Sequence, residues 1–142
     1  MKKKVLICSI LGAIVLCIVG IVLVVHYTGV HKINSGKVDA IVVWAHGLKD
    51  QGLNAADAKT FIKLFNKSTY RGEGTGEGGT PEYGVEVRFV DGSYLLVNQF
   101  AKSRHMFEVS LRDKNDAYKD WYYIESQELY EFLSNILTDA DE

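Results

Sequence analysis

Two hydropathy patterns divide the chain, a solid apolar block at its start and alternating or helical periodicities from residue 38 onward. Residues 5 to 25, VLICSILGAIVLCIVGIVLVV, contain no charge and no proline, and 15 of the 21 are Val, Ile or Leu. Each of these favours insertion at a bilayer-embedded helix centre by about 0.3 to 0.6 kcal/mol. At about 1.5 Å per residue the block would form a helix about 31 Å long, close to a hydrocarbon core of roughly 30 Å. The pattern predicts a transmembrane anchor over 5–25. A cleaved signal peptide has a shorter core, about 7 to 15 residues, and a small-x-small exit; Val24-Val25-His26-Tyr27-Thr28-Gly29 offers none. Cys8 follows Ile7 and Cys17 follows Leu16, so neither fits a lipid-modified cysteine. Lys2, Lys3 and Lys4 precede the block, against Lys32 and Lys37 after it, which predicts a cytoplasmic N-terminus (residues 1–4) and an extracytoplasmic domain. Ser9, Ala13 and Cys17 form a small-residue stripe of the kind found where helices pack, though such residues are common in apolar helices generally.

Residues 26–37, HYTGVHKINSGK, read as a polar tether, and the folded domain is expected over 38–138, with an acidic tail at 139–142. VDAIVVWA (38–45) is β-branched and predicts a strand. Asn54 is a helix N-cap, followed by Asp57 in the first turn and by Ala58, Phe61, Ile62 and Phe65 on one helical face. GEGTGEGGT (72–80) carries five glycines and predicts a mobile loop. VEVRFV and SYLLV flank Asp91-Gly92, which predicts a two-residue type I′ hairpin. That register sets Phe89 opposite Tyr94 and Val87 opposite Leu96 on the core face, with Glu86, Arg88, Leu95 and Val97 on the other. Phe107, Val109 and Leu111 alternate in a further strand. A charged turn region over 112–120 then leads to a last strand at Trp121–Ile124. Ser126 caps a final helix with Leu129, Phe132, Leu133, Ile136 and Leu137 on one face. The expected order after the anchor is β-α-β-β-β-β-α: an α+β domain, its antiparallel sheet covered on one face by two helices.

Charge and cysteine usage narrow the classes. Three of the 16 basic residues precede the apolar block, leaving 13 against 18 acidic ones from residue 26 onward. A net charge of −5 argues against a nucleic-acid partner. Both cysteines, Cys8 and Cys17, lie in the block, so the domain has no disulfide and no thiol nucleophile.

Motif by motif, the chemistry stays thin. Gly74-x-Gly76-x-x-Gly79 matches a dinucleotide fingerprint in letters, yet a helix precedes it and a strand follows, and Glu73 and Glu77 would repel phosphate. His26, His31, His46 and His105 show no metal-ligand spacing, so no metal is expected. Ser93 follows Gly92 in a turn rather than a strand-to-helix elbow. Asp113 with Asp116, and Asp139 with Asp141, fall in solvated segments where carboxylates do little acid–base work. No catalytic residue and no cofactor are expected.

Aromatic density is the stronger lead. Tyr118, Trp121, Tyr122, Tyr123 and Tyr130 fall close together; such residues anchor interfaces but also fill small cores. With Arg88 and Glu86 on the half-exposed sheet face, the candidate partner-binding residues are Glu86, Arg88, Tyr118, Trp121 and Tyr123. TPEYGVEVRFVDGS (80–93) and YYIESQELYEFL (122–133) together resemble uncharacterised small exported domains of Gram-positive bacteria, tethered by an N-terminal helix or lipid. That resemblance implies location and fold and carries no catalytic residues. The expectation is a membrane-anchored, non-enzymatic binding or accessory module of the cell envelope with a protein partner. An immunity protein against an envelope-directed toxin, a structural subunit of a membrane complex and a cell-wall or lipid-acting enzyme are the competing readings.

Overall fold

The structure, a computed structural model, describes residues 12–22, 31–75, 79–100 and 103–139. Two units are distinguished along the chain, Met1–Lys32 and Ile33–Glu142.

In the first unit, residues 12–22 form helix α1. At about 1.5 Å per residue, the described part of α1 is roughly 16 Å long, about half of a hydrocarbon core of roughly 30 Å. Among the described residues no helix is long and apolar enough to cross a membrane. This overturns the expected single-pass anchor over 5–25. It also removes the cell-membrane location, the signal-anchor assignment and the cytoplasmic-N-terminus orientation, all of which rested on that span. The ends of the expected span, the basic residues 1–4 and the first part of the expected tether lie outside the described residues.

The second unit starts inside the expected tether. Ile33 is buried, and Asn66 holds it by two hydrogen bonds: the Ile33 N–H donates to Asn66 Oδ1 at 2.7 Å, and Asn66 Nδ2 donates to the Ile33 carbonyl at 2.9 Å. Asn34 caps a short 3-10 turn, Ser35–Lys37. Then follow β1 (Val38–Ala45), β2 (Gln51–Gly52), α2 (Ala55–Lys67), β3 (Thr69–Glu73), β4 (Tyr83–Phe89), β5 (Tyr94–Gln99), β6 (Met106–Arg112), β7 (Tyr118–Glu125) and α3 (Gln127–Asp139). The strands make one antiparallel sheet in the order β2-β1-β4-β5-β6-β7-β3. The α+β class with an antiparallel sheet is therefore observed, with β2 and β3 added at the two edges.

Local signals explain the helices. The Asn54 side chain accepts the Ala56 and Asp57 amides at 2.9 and 3.0 Å, satisfying donors that the first helical turn leaves unpaired. Ser126 Oγ accepts the Leu129 N–H at 3.1 Å and does the same for α3. Phe61 and Phe65 of α2 and Leu129 and Leu133 of α3 join one core with Val85, Val87, Val97, Phe107 and Val109. Each fully buried side chain of this kind contributes about 1.5 to 3 kcal/mol, so both helices are fastened to the same face of the sheet.

The β4–β5 hairpin departs from expectation by one residue. Arg88 stands opposite Tyr94, Val87 opposite Leu95, and Val85 opposite Val97. The loop is Val90-Asp91-Gly92, closed by Gly92 N–H to the Phe89 carbonyl and Phe89 N–H to the Ser93 carbonyl. Gly92 has φ +83°, so the turn is a three-residue loop ending in a left-handed residue rather than a two-residue type I′ turn. A slip of one residue inverts a strand's faces. Leu95 and Val97 accordingly face the core, and Tyr94 and Leu96 do not. The β6–β7 hairpin repeats the geometry, with Asp113 N–H to the Ala117 carbonyl and Asp116 at φ 67°. Of the expected mobile loop, Gly72 and Glu73 belong to β3, and residues 76–78 lie outside the described residues.

Candidate interaction surface

Alternation along five strands sends one set of side chains to the core and the other to the face that bears no helix. Reading across β1, β4, β5, β6 and β7, the register aligns Val42, Glu86, Leu96, Ser110 and Trp121 in one row. A row on one side runs Trp44, Gly84, Asn98, Glu108, Tyr123; the row on the other runs Ala40, Arg88, Tyr94, Arg112, Tyr118. All five residues nominated from the sequence, Glu86, Arg88, Tyr118, Trp121 and Tyr123, thus share this face. Strict alternation would turn Tyr118 inward with Tyr122; the irregularity between Leu111 and Arg112 brings it out. Tyr122 points to the core, 2% exposed, and burial raises its phenol pKa.

Two indoles lie flat where glycines leave room. A methyl group on Gly84 would fall 2.6 Å from the Trp44 ring, and one on Gly74 would fall 2.3 Å from the Trp121 ring. Real side chains do not approach so closely, so both positions require glycine for the ring to lie there. Trp121 also stacks on Tyr118, centroids 5.3 Å apart and planes 18° from parallel. The Arg112 guanidinium sits 3.9 Å from the Tyr118 ring centroid, a cation–π arrangement.

Polar groups on the face are linked in local sets. Arg88 Nε donates to Glu86 Oε1 at 2.6 Å, and this bond raises the Arg88 pKa. Asp116 accepts from Tyr94 Oη and, at 2.8 Å, from Arg112 Nη1. Those two donors, Tyr94 first, hold the Asp116 carboxyl below the usual carboxylate range. Tyr123 Oη donates to Glu108 Oε2 at 3.2 Å and lies 3.2 Å from Thr75 Oγ1. Glu108 and Ser110 are both buried. Among the described residues Asn98 Oδ1, Arg112 Nε and Trp121 Nε1 are buried without a hydrogen-bond partner, each at a cost of about 1 to 3 kcal/mol.

Sequence reading missed Trp44, Asn98, Glu108 and Arg112, and placed Tyr94 inside. The parity of Trp44 against Ile41 and Val43 was an available signal. Nothing in the sequence paired Asn98 with Glu108.

Elsewhere, His105 lines an open polar cleft of about 810 Å³ with Glu125, Glu128 and Glu131. Its ring packs edge-on against Tyr130 at 5.6 Å, and Arg71 Nε bonds Glu125 at 2.6 Å. Among the described residues no hydrogen bond joins the His105 ring to a carboxylate, the contact an acid–base pair needs. No group of three or more His, Cys, Asp or Glu among the described residues is placed to hold a metal ion. His46 stands edge-on to Trp44, centroids 6.5 Å apart. No family model matches the chain, and no curated protein and no solved structure matches it.

Proposed function

We propose that the Ile33–Glu142 unit is a non-enzymatic binding module whose partner lands on the helix-free face of the sheet. One observation carries the reading: Glu86, Arg88, Tyr118, Trp121 and Tyr123, scattered along the chain, converge on that face with Trp44, Tyr94 and Arg112. Trp, Tyr and Arg are the residue types that dominate binding hot spots. A protein partner suits a broad sheet face better than a substrate would, since reacting groups are normally gathered in a concave site.

The test places a photo-crosslinking amino acid at Arg88 or Tyr118 in the full chain, expressed in its own cells. Asn135, exposed on α3, serves as the control position. Discrete adducts at the first two positions and none at the third are expected. Equal labelling at all three, or labelling at Asn135 alone, would end the proposal.

A further inference from the structure

A second feature lies away from the helix-free face, where β1 runs beside α2. Strand β2 covers β1 only at Val42 and Val43, with one more bond from the Leu53 N–H to the Ile41 carbonyl at 2.9 Å. Among the described residues, therefore, no strand lies along the outer side of the first half of β1. On α2, the apolar stripe is only half used: Phe61 and Phe65 are fully in the core, while Ala58 and Ile62 are partly buried. The partly exposed strips of β1 and α2 border a groove of about 650 Å³, lined by Val38, Ile41, Leu53, Ala58 and Ile62. That volume lies within the roughly 300 to 1,000 Å³ typical of small-ligand sites, which are likewise mainly apolar with a few polar groups at the rim.

The rim supplies the charge. Lys59 and Lys63, four residues apart and so on one side of α2, both border the groove and both are exposed. Among the described residues neither joins an ion pair. Among the described residues Asp39 is the one acidic side chain of the lining, and the two lysines outnumber it. An extended peptide added to the bare edge of β1 would need a regular ladder, and the register shift between Val38 and Ala40 displaces Asp39 from it. Bulges and charges at a strand edge are devices that prevent such pairing. A ligand that needs apolar contact and an anionic head, but no ladder, fits what remains.

We propose that this groove binds a single-chain anionic amphiphile, its hydrocarbon tail along Val38, Leu53, Ala58 and Ile62 and its carboxylate at Lys59 and Lys63. The proposal is independent of the helix-free face and stands or falls separately.

A diazirine analogue of palmitate, photolysed with the full chain and mapped by peptide mass spectrometry, provides the test. Labels are expected on 38–41 and 53–63. Saturated fatty acids of increasing length should compete with two- to fourfold stronger binding per added methylene until the groove is filled, the upper value being full burial of each CH₂ at about 0.8 kcal/mol. The double substitution Lys59→Ala, Lys63→Ala, at exposed positions that leave the core intact, should weaken carboxylate competitors severalfold and leave the matching alcohols unchanged. Labels confined to residues 12–22, no dependence on chain length, or equal effects on acid and alcohol would each overturn the proposal. Stronger competition by an acidic peptide than by any fatty acid would also overturn it and give the groove to a protein partner.

Discussion

Replacing Gly84 by alanine tests the geometry of the helix-free face directly. The added methyl would lie 2.6 Å from Cζ2 and 2.7 Å from Cε2 of Trp44, whereas carbon atoms in contact prefer about 3.5 to 4.0 Å. The indole must retreat by about 1 Å, and overpacking of this kind costs about 1 to 3 kcal/mol. Against it, alanine in an extended strand reduces the freedom of the unfolded chain and recovers about 0.4 to 1 kcal/mol. The net expectation is destabilisation of about 0.5 to 2 kcal/mol. In a Trp44→Ala background the obstacle is gone. The remaining neighbour, Asn98 Oδ1 at 2.8 Å, is the end of a side chain that can turn away, so Gly84→Ala should become neutral or mildly stabilising. Urea unfolding of the four proteins of this cycle gives the coupling, expected at about 1 to 3 kcal/mol with unchanged slopes. If Gly84→Ala costs the same with and without Trp44, the ring does not lie across Gly84 and the placement of Trp44 on this face is wrong.

Other expectations follow from the same structure. Gly92→Ala forces a side chain into φ +83° and should cost about 1 to 2 kcal/mol, read as a fall of several degrees in Tm; an unchanged Tm would show that residue 92 is not held in the left-handed region. Leu129→Ala, at a site with 0% exposure, should cost about 2 to 5 kcal/mol in chemical denaturation, and a loss under 1 kcal/mol would argue that α3 is not packed on the sheet. The Asp113 carboxyl is held below its usual range by the Asn115 and Ala117 amides and then by Lys119. A depressed folded pKa stabilises above the unfolded value of about 3.9 and is lost as pH falls toward the folded one. The Tm gap between wild type and Asp113→Asn should therefore be widest near neutral pH and close below about pH 4; a gap that widens on acidification would contradict the loop geometry.

Elements with a strong period were legible from the residues. The stripes of α2 and α3, their caps Asn54 and Ser126, and the alternation of β1, β4 and β6 each state their structure locally. β2 and β3 do not: Gln51-Gly52 is too short to show a period, Thr69–Glu73 ends in the glycine-rich stretch that reads as a loop, and both are ordered by the neighbours they pair with. The apolar opening shows a different limit. Hydropathy reports which solvent a segment tolerates, whereas a span also requires about 20 residues in one helix, and among the described residues no helix is long and apolar enough to cross a membrane.

The hairpin error shows why the candidate surface was half legible. On β4, Val85 and Val87 alternate with Glu86 and Arg88, so their faces follow from polarity alone, and the structure keeps that assignment. On β5, Tyr94-Leu95-Leu96-Val97 is apolar at every position, and either parity would bury a plausible set. Only the turn decides between them, and Val90-Asp91-Gly92 accommodates both a two-residue and a three-residue loop because each ends on a glycine with positive φ. The three-residue loop moves Tyr94 out beside Arg88 and Arg112 and carries Leu96 into the row with Trp121. A single left-handed residue at Gly92 thus places aromatic and cationic groups together on the face with no helix. The β6–β7 loop repeats the device with Asp116, whose carboxylate also holds Tyr94 and Arg112. Turn geometry at one end of the sheet sets the composition of the surface on which the proposed partner lands.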